Sequence, residues 1–408
     1  MLSNSWLRLL IVTLVSAVFS SSQMKVLATE EIKNIKDSQP TTCQSNNRLT
    51  NFLVVAGGGH PGNNEIALEK NVLYFQRTLA NLGYNPESAS IFFANGNDGQ
   101  ATIRYINEQR EQQFKVPEIP NLQGAATKEN LANWVEATAT KNNNQPIFFY
   151  FTGHGIPRSL LMWERQQLTV TELASQLDKL PQNKPVVTMM AQCFSGSFAD
   201  FIYQGGDATK PIALQTRCGF FATVKTRPSV GCTPEVNEAD YRDYSSSFFA
   251  GLSGVDRTGA KVASADYNQD GKISYTEAHA FAKVDEETMD LPISTSESWL
   301  QDRVTEADTE RILSHAIASI LPSARPEQKY VVNSIVQMFE LDLQKSYLAN
   351  IATLSPEETN NEVQQAYLVR LAMELVNIAR EKEIRETGNS ETIAILDRLI
   401  KCEATSPQ

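Results

Sequence analysis

The chain of 408 residues is short of basic side chains: 36 Lys and Arg stand against 47 Asp and Glu, a formal charge of −11. Nucleic-acid binding neutralises phosphate with clustered Lys and Arg, so no nucleic acid is expected as a partner. After the N-terminus no apolar run approaches the roughly 20 residues that cross a bilayer, which argues against stable membrane insertion. Gly (20) and Pro (17) are too few for a collagen-like or low-complexity chain, and no internal repeat recurs. Disorder as the main state is excluded by the 41% of hydrophobic residues, enough for a sizeable core. The length suits about two or three domains. Only 4 His and 5 Cys are present, so the residues able to do nucleophilic or acid–base chemistry can be weighed one by one.

The first residues carry one charge, Arg8, followed by an apolar run from Leu9 to Phe19. The run is too short to span comfortably and fits the core of a secretory signal peptide, with Val26 and Ala28 before the expected cut. Residues 1–28 are therefore read as a leader and the protein as exported, periplasmic or extracellular. An odd cysteine count in an exported chain leaves one thiol over. Cys218 with Cys232 would close a short loop, Cys43 with Cys402 would staple the two ends, and Cys193 would remain free.

A polar linker (29–50) precedes an α/β pattern. Short apolar runs at Phe52–Ala56, Ile91–Ala94, Ile147–Phe151, Val186–Ala191 and Gly219–Val224 read as strands. Leu68, Val72, Phe75, Leu79 and Leu82 recur at helical spacing, with Asn63 or Asn64 as a cap and Gly83 as a stop. Helices are also expected near Glu129–Thr138, at Val170–Leu180 and at Ser245–Leu252, the last capped by Ser245. Strands alternating with helices predict an α/β fold, a mostly parallel sheet covered on both faces, over residues 51–303. From about residue 304 to 408 the pattern becomes all-helical, punctuated by Pro322, Pro326 and Pro356.

Two strands end in chemistry. Phe148–Phe151 is followed by Thr152-Gly153-His154-Gly155, and Val187–Gln192 by Cys193-Phe194-Ser195-Gly196. In open α/β sheets ligands bind beyond the carboxyl ends of the strands. If the two strands are neighbours, His154 and Cys193 face one crevice as acid–base group and nucleophile. The Gly155 N–H, unhindered by a side chain, and the Cys193 N–H are the expected oxyanion donors. His60 lies in the first βα loop, where it could line the site; His279 and His315 read as surface residues on helices.

The pair FYFTGHG and MMAQCFSGSF resembles the caspase-fold cysteine peptidases over roughly residues 50–300. The order Ala191-Gln192-Cys193, the late Gly196 and the gap of 39 residues from His154 depart from the caspase signature, and Cys-x-Ser-Gly-Ser is closer to legumain-like members. The resemblance implies a caspase-like αβα sandwich, with His154 and Cys193 as a dyad and Gly155 in the oxyanion hole. It also implies a thioester acyl-enzyme, and cleavage of peptide or protein substrates after Asn or a basic residue. Legumains place an Asn after the first strand to orient the His; Asn63 or Asn64 would match. No organic cofactor is implied. Oligomeric state stays open.

Residues 266–277, DYNQDGKISYTE, have EF-hand loop spacing. Asp266, Asn268 and Asp270 fill positions one, three and five, and Gly271 supplies the turn. Lys272 offers a carbonyl, Ser274 stands at nine, and Glu277 is the bidentate ligand at twelve. A structural Ca²⁺ is expected, in an isolated loop because the entering segment is Gly-rich.

Glu235, Glu238, Asp240 and Asp243 crowd the stretch after Cys232. In the caspase fold such residues help line the specificity pocket, where they would favour a cation, with Arg242 keeping the Asn reading open. The helical tail has the position of a legumain prodomain, and a permanently attached stabilising unit fits equally. The competing functional class is a catalytically silent caspase-fold protein in which Ca²⁺ organises a partner surface.

Overall fold

A computed structural model describes residues 50–141, 143–355 and 359–407. The expected leader (1–28), the linker up to residue 49 and Cys43 lie outside the described residues. The strands are β1 Asn51–Gly57, β2 Ser90–Phe93, β3 Ile103–Ile106, β4 Gln112–Lys115, β5 Leu122–Gly124, β6 Ile147–Gly153, β7 Gly155–Ile156, β8 Ser159–Met162, β9 Gln166–Thr169, β10 Val186–Met190, β11 Arg217–Phe221 and β12 Ile293–Ser294. Seven of them build the central sheet in the order β12-β11-β10-β6-β1-β2-β5. All its pairings are parallel except β11 with β12. The expected mostly parallel sheet is thus the one observed.

Side chains alternate across this sheet, as period-2 geometry requires. Leu53, Val55, Phe149, Phe151 and Met190 join the core on one face. Phe52, Val54, Phe148, Tyr150 and Met189 join the core on the other. The helices Ile66–Asn81, Tyr244–Ser253 and Tyr275–Asp285 contribute to the second core. Because both faces are buried, the strand sequences are continuously apolar rather than alternating.

The chain runs from β1 outward to β2 and β5, then returns to lay β6 on the other side of β1. That reversal opens a crevice beyond the ends of β1 and β6, paired in register up to Gly57 and Gly153.

Two helix starts differ from expectation. Glu65, not Asn63 or Asn64, is the residue before Ile66–Asn81, and its side chain makes no cap bond. Asp243 caps Tyr244–Ser253 by accepting from the Ser246 N–H. Ser245, the expected cap, instead accepts the Tyr150 hydroxyl at 2.9 Å beneath the sheet. A carboxylate outcompetes a hydroxyl for an exposed amide donor.

The helices beyond residue 304 share the first core. Ile312, Val332, Ile335, Leu368 and Leu375 pack in the same cluster as Phe149 and Met190. Arg370, 1% exposed, donates to the carbonyls of Lys283, Glu286, Thr288 and Asp290. A disulfide joins Cys218 on β11 to Cys402 on the last helix, Ser390–Glu403. Both expected pairings are therefore corrected: Cys218 reaches across 184 residues of sequence, and Cys232 is free, as is Cys193. No helix among the described residues is long and apolar enough to cross a membrane.

Candidate active site

Strand β6 delivers His154 and strand β10 delivers Cys193. The two strands pair directly, Met190 opposite Phe151, so both residues emerge at the same edge. After β10 the chain turns sharply. Phe194 takes a left-handed conformation (φ 58°), and a helical segment begins at Ser195. For a non-glycine residue this costs roughly 1–2 kcal/mol, and the turn is held by several bonds. The Phe194 N–H donates to Arg227 O, Gly196 N–H to Thr223 O, and Ser195 Oγ accepts from Thr223 N–H. Gly196 tolerates no side chain: a Cβ would lie 2.8 Å from Thr223 O and from Lys225 N.

The Cys193 sulfur, half-buried, lies against the backbone of Ser229, 3.3 Å from its N–H and 3.4 Å from its carbonyl. Burial pushes the thiol up, while the Ser229 amide and the His154 charge work the other way. Asp290 fixes Ser229 from behind, accepting from its hydroxyl at 2.5 Å and from the Val230 N–H. Arg370 binds the Asp290 carbonyl, so the tail braces the wall behind the sulfur. Among the described residues the Cys193 N–H donates to no acceptor. Gly155 presses on the same turn, since a Cβ there would lie 2.5 Å from Gln192 Cγ and 2.6 Å from Cys193 O.

His154 is oriented by Glu65. Its Nε2 lies 3.0 Å from Glu65 Oε2, and Arg104 holds Oε1 at 2.6 Å. Burial opposes the imidazolium, but bonds and charge from Cys232 and Glu65 outweigh it and raise His154 from 6.5 to about 10. The contribution of Cys232 requires its thiolate; that of Glu65 does not. Glu65 is held below the usual carboxylate range: burial would raise it, and His154 and Arg104 more than compensate.

Sequence reasoning missed two of these residues. Neither Asn63 nor Asn64 meets the histidine. Asn64 accepts from Gly58 N–H and donates to Thr102, bracing the loop, and Glu65 takes the expected role. Cys232 reaches His154 from the loop after β11, so that Glu65, His154 and Cys232 each offer a ligand atom within 4.8 Å of the others. A carboxylate in the first loop at the switch point was the available signal for Glu65; Cys232 had none.

His60 is turned to its own loop, where Nδ1 accepts from the Gly62 N–H. His279 corrects the surface reading: it is 3% exposed, between Tyr244 and Glu297. His315 is exposed, as expected, but lies in the bend between the helices Glu306–Leu313 and Ile317–Ile320 and not on a helix. The acidic stretch is engaged elsewhere. Glu235 pairs with Arg110, Glu238 with Arg77 and Lys70, Asp240 with Asn237, and Asp243 caps its helix.

In the 266–277 loop Asp266 accepts from the amides of Asp270 and Gly271, and Asn268 Oδ1 from that of Asp270. The Lys272 N–H donates to Asp270 Oδ1. Glu277 reaches back to the amides of Tyr267 and Asn268, and with Ser274 forms a capping box on Tyr275–Asp285. Gly271 takes φ 82°, the left-handed turn its position needs. The donors are oxygens throughout, which suits a hard cation.

Residues 64–209, a little over a third of the chain, match the model of the Peptidase C13 family, the legumain family. No curated protein matches the chain significantly. Among solved structures, caspase-1 from Spodoptera frugiperda aligns over 53% of this chain and 76% of its own, at 12% identity and a TM-score of 0.31. That alignment is too loose to carry an argument. The family match stands without it: residues 64–209 are similar to C13-type cysteine peptidases, and they lie in a chain whose central sheet is mostly parallel.

Proposed function

We propose that the protein is an exported endopeptidase in which Cys193 is the nucleophile and His154 the acid–base group, with Glu65 as its positioning residue. One observation supports the reading: Glu65 bonds His154 beyond β1 and β6, and Cys193 follows the adjacent strand β10, near enough for the His154 charge to act on its thiol. The Cys193 thiolate attacks the scissile carbonyl. The oxyanion that forms accepts from the free Cys193 N–H and from Gly155. The His154 imidazolium then gives its proton to the leaving amine, and a thioester remains on Cys193. Water, deprotonated by His154, releases the acid and regenerates the thiol. An amine acceptor in place of water would give transpeptidation from the same intermediate.

Cleavage after Asn is preferred over cleavage after Lys or Arg. The carboxylates that would hold a cationic side chain are already matched by Arg110, Arg77, Lys70, Asn237 and a helix terminus. The loop of Asp266, Asn268, Asp270, Lys272, Ser274 and Glu277 binds one structural Ca²⁺, for which Glu277 exchanges its amide partners. That ion would anchor the start of Tyr275–Asp285, whose Lys283 carbonyl also meets Arg370.

Fluorogenic peptides varied at the residue before the scissile bond test this reading. Expected are turnover after Asn and a loss on the order of 10³-fold or more in Cys193→Ala. Absence of Cys193-dependent turnover, with or without Ca²⁺, would favour the silent binding protein instead. Calcium is expected to raise Tm by about 5 °C over chelator at saturating concentration, because it binds only the folded loop. An unchanged Tm rejects the calcium site.

A further inference from the structure

We propose that Glu65, His154 and Cys232 form a binding site for a borderline-soft divalent cation, Zn²⁺, and that the ion closes the peptidase by withdrawing His154. The binding half stands on the three side chains alone; the closing half rests on His154 as the acid–base group.

The three ligands come from separate segments: the loop after β1, the end of β6 and the loop after β11. Their ligand atoms lie within 4.8 Å of one another, and His154 and Glu65 are already 3.0 Å apart. Around tetrahedral Zn²⁺, with bonds of about 2.0–2.3 Å, neighbouring ligand atoms stand about 3.3–3.7 Å apart. The site therefore needs only about an ångström of closure, on the side of Cys232, the most mobile-reaching member because it is exposed and on a loop.

The donor set selects the ion. One imidazole nitrogen, one carboxylate oxygen and one thiolate sulfur suit Zn²⁺, whereas Ca²⁺ and Mg²⁺ seek oxygens. The two acidic centres of the molecule thus differ in kind, since the 266–277 loop offers oxygens only. The carboxylate is fixed from behind, as good metal ligands are: Arg104 holds Glu65 Oε1 and leaves Oε2 for the crevice. His154 keeps 23% of its side-chain surface open, so the ion can enter from solvent and a water can complete its shell. Cys193 is outside the set. Its sulfur is engaged with the Ser229 backbone.

On binding, Cys232 gives up its proton and the ion takes the place of the proton shared by His154 and Glu65. The imidazole then has no proton for a leaving amine, although Cys193 is untouched. The thiol that the disulfide pattern leaves over beside the histidine thereby acquires a role: it holds the enzyme shut under zinc.

The test uses the full-length chain with Ca²⁺ saturating, so that the oxygen loop is blocked. Zn²⁺ is titrated calorimetrically into Cys193→Ala, Cys232→Ser and the double variant, with Co²⁺ as an optical probe of thiolate ligation. Expected is one Zn²⁺ per chain in Cys193→Ala, with a cobalt–thiolate charge-transfer band. Cys232→Ser should weaken Zn²⁺ on the order of 100-fold and abolish that band. Cys232→His, which restores a ligand, should regain most of the affinity, separating ligation from a folding defect. Binding that survives Cys232→Ser but is lost in Cys193→Ala overturns the site, as does no binding at all. If the protein turns over peptides, Zn²⁺ should inhibit it, and chelator should restore it, at concentrations on the order of 100-fold lower than in Cys232→Ser. Stoichiometric binding without inhibition overturns the closing half alone. If no peptide is turned over, the titration still decides the metal site.

Discussion

Two carboxylate–imidazole pairs of nearly equal length sit in this molecule. Glu65 meets His154 at 3.0 Å on the open edge of the sheet, and Glu297 meets His279 at 3.1 Å inside it. Their electrostatics run in opposite directions. His154 is raised to about 10, whereas His279 is lowered, first by burial and then by the charge of Lys283. Lys283 is the cation of the inner pair and bonds both Glu297 and Glu374. His279 is thus left neutral, with Tyr244 donating to Nδ1 and Nε2–H donating to Glu297. The outer pair has no such competitor, since Arg104 binds the far oxygen of Glu65 and does not displace the imidazolium. The charge of each imidazole is therefore set by its neighbours, Cys232 with Glu65 at one and Lys283 at the other, and not by the length of the bond.

Exchanging the two histidines should separate the pairs most sharply. His154→Asn is expected to lose about 10²- to 10⁴-fold in kcat with Tm little changed, because it removes general acid–base catalysis from an open edge. His279→Asn is expected to leave kcat unchanged and to cost about 1–3 kcal/mol of stability, the penalty for unmade buried hydrogen bonds. Kinetics and thermal melts of both variants check this. Comparable kcat losses in the two would erase the contrast.

The carboxylates come next. In Glu65→Gln the His154 imidazolium loses one of its two supports, Cys232 being the other and larger, so its pKa falls below about 10. The alkaline limb of kcat/KM should move down by more than one pH unit. Glu297→Gln should leave that limb in place and destabilise by about 3–5 kcal/mol near neutrality, because Lys283 and His279 lose a buried partner. Glu297 sits below its ordinary 4.5: burial opposes this, and Lys283 and His279 prevail. Its contribution is therefore full above about pH 4.5 and is lost as pH falls through the lowered value. The difference in Tm between wild type and Glu297→Gln should shrink accordingly in acid.

The sequence showed one member of the outer pair and hid its carboxylate. His154 and Cys193 follow uninterrupted apolar runs, and a buried parallel strand is the one setting in which four aromatic residues precede a Gly-His-Gly turn. Their position at one edge of the sheet was readable there. Glu65 was one residue away from the Asn pair that the family pattern suggested. Its role depends on β1 lying beside β6, a neighbourhood no local pattern encodes. His279 reads as exposed because a histidine in a mixed helix usually is. The helix Tyr275–Asp285 is instead covered on both sides, by the sheet core and by Arg370 and Glu374 of the tail. Long-range register likewise decides the disulfide. Cys218 on β11 finds Cys402 only after the last helix has packed, so the short loop to Cys232 was the natural inference from spacing and the wrong one.

The smallest expected effect probes the inner pair alone. Tyr244 is fully buried and its hydroxyl stays protonated, because burial and the charges of Glu286 and Glu297 push it well above its ordinary value. It therefore donates to His279 Nδ1, which fixes the proton on Nε2 and points it at Glu297. Tyr244→Phe removes that donor while keeping the ring tilted against Phe248. The cost should be about 1 kcal/mol, one neutral hydrogen bond, read as a Tm shift of about 2–4 °C. No change in kcat/KM or in its pH limbs should accompany it. A shifted limb would mean that the inner pair reaches the site through Lys283, Arg370 and Asp290, and the two imidazoles would then have to be treated as one coupled system.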